Sequence, residues 1–372
     1  MNLDLSNPLT QISQIGTSIW LDDLSRSRLV SNSSNPDKSL LHLTRTAQVV
    51  GVTTNPAIFA NALKDADTYH DAISALRGKS ADEAIRLITT SDVRTACEQL
   101  HDIYEATSGV DGRVSIEVDP RLAHEEHATI EQAKELWSEV ARENLFIKVP
   151  ATKAGLPAIT ALIREGISVN VTLIFSLERY REVLLAYLDG LEARLADGRS
   201  LTGIQSVASF FVSRVDSAID PILDAMNTAQ AKKLRGAAAV ANARLAYQIF
   251  EEVTATDRWR RIAHAGGAVQ RPLWASTGVK DKAYDPAKYV VELLAPDTVN
   301  TMPETTIHAA RAYSGRIANS ISDSYIHSHQ VFAELAELGI SYDEVVNELE
   351  RDGIAKFNDA WEALIKTIAA QL

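Results

Sequence analysis

The chain has 372 residues, 46% hydrophobic and 23% charged, enough for one large α/β domain of roughly 250–300 residues with additions, or for two ordinary domains. Its 37 basic residues are outnumbered by 49 acidic ones, a net charge of −12, and no block of lysine and arginine could track a phosphate backbone, which argues against a nucleic-acid partner. The single cysteine, Cys97, excludes an intrachain disulfide and suits a reducing compartment, the amino-terminal MNLDLSNPLTQIS lacks the basic and apolar parts of a secretion signal, and no apolar run nears the roughly 18 residues of a membrane span, so a cytoplasmic location and no membrane partner are expected.

From one end to the other, short apolar runs alternate with longer amphipathic stretches, the pattern of βα units around a parallel sheet. The first two runs are 18–22 (SIWLD) and 48–53 (QVVGVT), followed by a segment over 67–107 that reads as two or more extra helices. The third run, 113–118 (RVSIEV), precedes a helix over 125–142 that sets Ile130, Ala133, Leu136, Trp137 and Val140 on one face. The runs 144–149 (NLFIKV) and 167–172 (ISVNVT) come next, then a helix over 177–195, the run 204–209 (IQSVAS) and an alanine-rich helix over 232–253. The last two runs, 272–276 (PLWAS) and 297–302 (DTVNTM), lead into two or three helices over 327–372. Eight strands with helices between them predict a closed (β/α)8 TIM barrel. One domain over 1–372 is expected, carrying the helical insertion and a C-terminal helical extension that covers part of the barrel, since no repeat, low-complexity tract or linker marks a second domain.

The fourth run places Lys148 among Leu145, Phe146, Ile147 and Val149 and ends at Pro150, which cannot donate to a ladder. A buried ammonium is costly, so burial favours the neutral amine, which can attack a carbonyl. On this segment alone a lysine snorkelling out to solvent remains the alternative.

Barrel sites form where strands end and βα loops begin, and the residues there are polar. Asp22 closes the first strand, Thr53, Thr54 and Asn55 follow the second, and Glu117 sits in the third. Asn170 and Thr172 share a face of the fifth, Ser209 ends the sixth and Ser276 closes the seventh. Taken singly, each has a reading as a cap, a turn residue or a surface group; their recurrence at strand ends points to a site. An amine beside two carboxyl groups and several hydroxyl and amide groups suits Schiff-base chemistry on a polyol. Arg214 and Lys280, just after the sixth and seventh strands, would suit a phosphate on the far end of such a substrate, or would be loop surface charges. His124-Glu-Glu-His127 and His327-Ser-His329 lack metal-site spacing, and no GxGxxG, GxxxxGK[ST] or GxSxG occurs, so neither a metal, a nucleotide cofactor nor a serine-hydrolase elbow is expected.

Six segments in order, GVTTNPAIF (51–59), SIEVDPRLA (115–123), NLFIKVPATKAGLPAI (144–159), VNVTLIFS (169–176), SVASFFVSRVD (206–216) and WASTGVK (274–280), resemble the transaldolase family, in particular its longer bacterial form. The resemblance implies a class I aldolase-type barrel that needs no metal or organic cofactor and moves a dihydroxyacetone unit from sedoheptulose 7-phosphate to D-glyceraldehyde 3-phosphate. It further implies Lys148 as the Schiff-base residue, Glu117 as a proton carrier working through a water held by Thr172, and Asp22 as the base at the C4 hydroxyl. Asn55, Asn170 and Ser209 would hold the dihydroxyacetone hydroxyls, and Arg214 and Ser276 the phosphate. Gly278 departs from the pattern, standing where many members carry a phosphate-binding arginine; Lys280 is the candidate replacement. Phe211 stands in the substrate site where aldolase-type relatives carry tyrosine. The alternatives are a fructose 6-phosphate aldolase-like enzyme that releases dihydroxyacetone, and a non-catalytic sugar-phosphate-binding barrel. Small sugar phosphates are the expected partners, and a monomer or homodimer the expected assembly.

Overall fold

Eight parallel strands close into a barrel in sequence order in the computed structural model, which describes residues 6–30 and 36–372. They are β1 (Thr17–Leu21), β2 (Val49–Val52), β3 (Arg113–Glu117), β4 (Leu145–Pro150), β5 (Val169–Ile174), β6 (Ser206–Phe211), β7 (Gln270–Ala275) and β8 (Thr298–Met302). The seam is the β1–β8 ladder, which runs from Thr17 opposite Thr298 to Leu21 opposite Met302. Helices cover the outer faces and side chains fill the inside, so nearly every strand residue is buried; this is why the runs are rich in apolar residues without a strict in-and-out alternation. The first five residues of the amino-terminal segment lie outside the described residues.

All eight expected strands are present, with ends displaced by at most two residues. Two displacements bear on the site. β6 does not end at Ser209 but continues through Phe210 and Phe211, which pair with Trp274 and Ala275, and β7 ends at Ala275, leaving Ser276 just beyond it. The helix expected over 232–253 is two helices, Ala229–Leu234 and Ala238–Thr254. The break falls at Gly236, whose φ of 72° a helix cannot accommodate, and Asp220 and Lys288 anchor its backbone N–H and carbonyl. The insertion forms three helices, Ala66–Ser74, Ala81–Gln99 and His101–Ala106, and the C-terminal extension two, Tyr325–Glu337 and Tyr342–Ala369.

Three levels can be followed along the barrel axis. At the amino-terminal end, Asp111 accepts hydrogen bonds from Ser18, Trp20 and Arg271, while buried Arg113 lies between the rings of Tyr104 and Phe146. The middle is an apolar plug of Trp20, Phe146, Val207, Leu273 and Val299. Gly51 makes room for it: a Cβ there would lie 2.5 Å from the Trp20 ring. At the carboxyl end the last helix crosses the rim, where Gly353 brings its backbone against Leu173 and Phe175 and Val346 and Phe357 join the apolar cluster. The extension therefore covers part of the barrel, as expected.

Candidate active site

Lys148 and Glu117 occupy facing positions in the β3–β4 register. Lys148 is only 4% exposed, so it stays inside the barrel and does not snorkel to bulk solvent. Its ammonium donates to the Thr54 carbonyl and to Glu117 Oε2, each at 3.0 Å, and lies 5.6 Å from the centre of the Phe357 ring. Burial pushes the Glu117 carboxyl up to about 7; the Lys148 charge opposes that rise and Asp22 adds to it.

Lys148 faces a cavity of about 160 Å³ whose wall also carries Asp22, Asn55, Thr172, Ser209, Phe211, Arg214 and Ser276. They arrive from several strands and βα connections, with Ser209 and Phe211 both on β6. Asp22, one residue past β1, accepts a 2.7 Å hydrogen bond from Thr53 Oγ1, which is 2.6 Å from Thr301 Oγ1. Burial raises the Asp22 carboxyl above the usual carboxylate range, with the Lys148 charge and the Thr53 hydroxyl opposing. Asn55 caps the helix Pro56–Ala62 by accepting from Ile58 N at 3.0 Å. Arg214 sits in the first turn of the helix Ser213–Met226; its guanidinium lies 5.1 Å from the Phe211 ring centre, and its Nη1 is buried without a protein partner. Two wall segments carry left-handed backbone at non-glycine residues. Ser276 has φ 55° and Leu173, next to Thr172, φ 60°, the latter where the β5–β6 register slips. Such conformations cost free energy and occur preferentially where a side chain must be aimed.

Three expected residues stand apart from this wall. Glu117 borders a neighbouring cavity and reaches Lys148 across the partition. Asn170 is fully buried beneath the site, its amide donating to Ser115 and its carbonyl accepting from Ser209 at 2.7 Å. Lys280 is exposed and borders an adjoining cavity beside Ser213. Conversely, Thr301 and Phe357 line the site without having been expected there. Thr301 could have been read as a polar residue at the carboxyl end of β8; no local signal in a helix near the carboxyl terminus marks Phe357 as a roof over Lys148. Among the described residues no three His, Cys, Asp or Glu side chains are grouped to hold a metal ion, and no helix is long and apolar enough to cross a membrane.

A buried amine paired with a carboxyl group, at the carboxyl end of a closed parallel barrel and facing hydroxyl, amide and guanidinium groups, is the arrangement of lysine-dependent, class I aldolase-type enzymes. The sequence comparisons are narrower. The chain belongs to the transaldolase/fructose-6-phosphate aldolase family, whose model matches residues 19–368. It is 54% identical over 370 residues to "Transaldolase 2" of Streptomyces coelicolor, covering 99% of this chain and 98% of the relative. It is 50% identical over 370 residues to "Transaldolase" of Parafrankia sp., covering 99% of each. With "Transaldolase 1" of Streptomyces avermitilis it shares 54% identity over 366 residues, 98% of this chain and 95% of the relative.

Proposed function

We propose that this protein is a transaldolase of the non-oxidative pentose phosphate pathway, transferring a dihydroxyacetone unit from sedoheptulose 7-phosphate to D-glyceraldehyde 3-phosphate to give D-erythrose 4-phosphate and D-fructose 6-phosphate. The observation that carries the reading is the buried Lys148 amine, held 3.0 Å from Glu117 Oε2 and facing a cavity walled by Asp22, Asn55 and Ser209; full-length similarity to proteins named transaldolase supports it.

Glu117 takes a proton from the Lys148 ammonium, and the amine attacks the donor's carbonyl carbon. The resulting carbinolamine loses its hydroxyl as Glu117 returns a proton to it, so the carbonyl oxygen leaves as water, carrying two protons that began on nitrogen, and an iminium remains. A carboxyl group titrating near neutrality suits both transfers. Glu117 Oε1 and Thr172 Oγ1 are both buried without a protein hydrogen-bond partner, which supports a water working between them. Asp22 takes the proton of the C4 hydroxyl, the C3–C4 bond breaks, and its electrons move to the iminium nitrogen, leaving an enamine and freeing the aldose. The enamine then attacks the acceptor aldehyde by the reverse steps. Asn55 and Ser209 hold the dihydroxyacetone hydroxyls, Asn170 orients Ser209 from below, and Arg214 with Ser276 binds the phosphate, Lys280 adding charge from the adjoining loop. The location proposed is cytoplasmic.

Phe211 favours transfer over release. A phenol at that place could protonate the enamine and let dihydroxyacetone be hydrolysed off, whereas a phenyl ring packed 5.1 Å from Phe175 cannot. The test is free dihydroxyacetone from fructose 6-phosphate, measured with and without acceptor beside a coupled dehydrogenase assay of transfer. Transfer much faster than release is expected; rapid release without acceptor would make the protein an aldolase.

A further inference from the structure

A second cavity, of about 280 Å³, lies behind the lysine, bordered by Ile116 and Glu117 of β3 and by the helices Ala81–Gln99 and Glu126–Val140. The two cavities share a wall. Asn55 borders both, and the Lys148–Glu117 hydrogen bond spans the partition, with Lys148 on the front cavity and Glu117 on the rear one. Trp361 Nε1 in the rear wall and Glu117 Oε1 at the partition are both buried without a protein partner. Outward from Glu117 a polar strip of the lining runs through Asp119, whose backbone N–H donates to Gln132 Oε1 at 2.6 Å, to exposed Glu135. Pro56, Phe59, Ile116, Leu136 and Trp361 form the apolar side of the wall, and a chamber of this size has room for several waters along its polar side.

The Schiff-base chemistry proposed above needs such a route. Each imine formed on Lys148 releases one water made from the carbonyl oxygen, and each imine hydrolysed consumes one. Both events occur while a sugar phosphate fills the front cavity from Lys148 toward Arg214. We infer that the rear cavity is a water port, through which the water of imine formation and hydrolysis passes between Glu117 and solvent without crossing the occupied substrate cavity. The inference rests on the Schiff-base reading.

Graded blocking of the rear mouth tests it. Glu135 is exposed on the rear cavity and has no part in the proposed chemistry, while the native thiol, Cys97, is buried; methanethiosulfonate reagents of increasing size should therefore react at the new thiol of Glu135→Cys. The readout is oxygen-18 passing from labelled water into the C2 carbonyl of fructose 6-phosphate, with Lys148→Ala as baseline. The port predicts exchange like the wild type before blocking, then a fall that deepens with reagent size to about tenfold, as when a gating step becomes rate-limiting. KM for fructose 6-phosphate should stay constant and dithiothreitol should restore exchange. Lys148-dependent exchange that ignores every blocking group overturns the port alone, whereas exchange no faster than in Lys148→Ala overturns the Schiff-base reading beneath it.

Discussion

Glu117, the two-way proton carrier of the proposed mechanism, shows at the scale of one residue how burial changes an ordinary carboxylate. Its carboxyl is raised from 4.5 to about 7 chiefly by desolvation, so it is mostly ionised above neutrality and mostly protonated below. Only the ionised form can accept the Lys148 proton. kcat/KM for the donor should therefore fall as pH drops through about 7, and Glu117→Gln, slow at every pH, should lack that limb. Asp22→Asn should still form an adduct that borohydride traps, yet lose carbon–carbon cleavage. Stopped-flow trapping across pH checks both variants, and equal rates of adduct formation in wild type and Glu117→Gln would remove Glu117 from imine chemistry. Arg214 offers a separate test, since a charge-assisted hydrogen bond contributes about 1.5–3 kcal/mol. Arg214→Ala should lower kcat/KM for fructose 6-phosphate by about one to two orders of magnitude and barely change that for unphosphorylated fructose. Equal losses on both sugars would make Arg214 structural.

Among the elements, the C-terminal helix Tyr342–Ala369 is the one whose position has most to do with the site. It carries Phe357 onto Lys148 and comes close to the barrel because position 353 has no side chain; a Cβ there would lie 3.1 Å from Leu173 and 3.4 Å from Phe175. Gly353→Leu should cost about 1–3 kcal/mol by overpacking and should also depress activity by lifting Phe357 off the site. Denaturant melts beside steady-state kinetics check this, and a destabilised enzyme with unchanged kinetics would show that the helix is not a roof. The strands were legible because short runs rich in apolar residues recur between amphipathic stretches, and Lys148 was legible because a charge among Leu145, Phe146, Ile147 and Val149 is conspicuous. Phe357 was not, since its contact is made by the docking of a helix remote in sequence. The break at Gly236 was hidden by an alanine-rich pattern that is helical on both sides of it. Asn170 shares a strand face with Thr172, but the period of two gives the face and not the depth, so its place beneath Ser209 had to come from the three-dimensional packing.

For the whole molecule, the barrel divides its labour by end. The carboxyl end holds Lys148, Glu117 and Asp22; the amino-terminal end holds the Asp111 network that joins β1, β7 and the loop before β3. Asp111→Ala would leave Arg271, 5% exposed, as an uncompensated buried charge and should cost about 3–5 kcal/mol of stability. The folded fraction should keep its KM, because the apolar plug separates that network from the cavity. Denaturant titration and kinetics on the same preparation check this, and a raised KM would show coupling between the ends. The central claim is that Lys148 is the amine that holds the substrate. Borohydride reduction in the presence of fructose 6-phosphate, followed by peptide mapping, tests it most directly. The adduct should map to Lys148 and vanish in a folded Lys148→Ala variant; an adduct on another lysine, or none in the wild type, would contradict it.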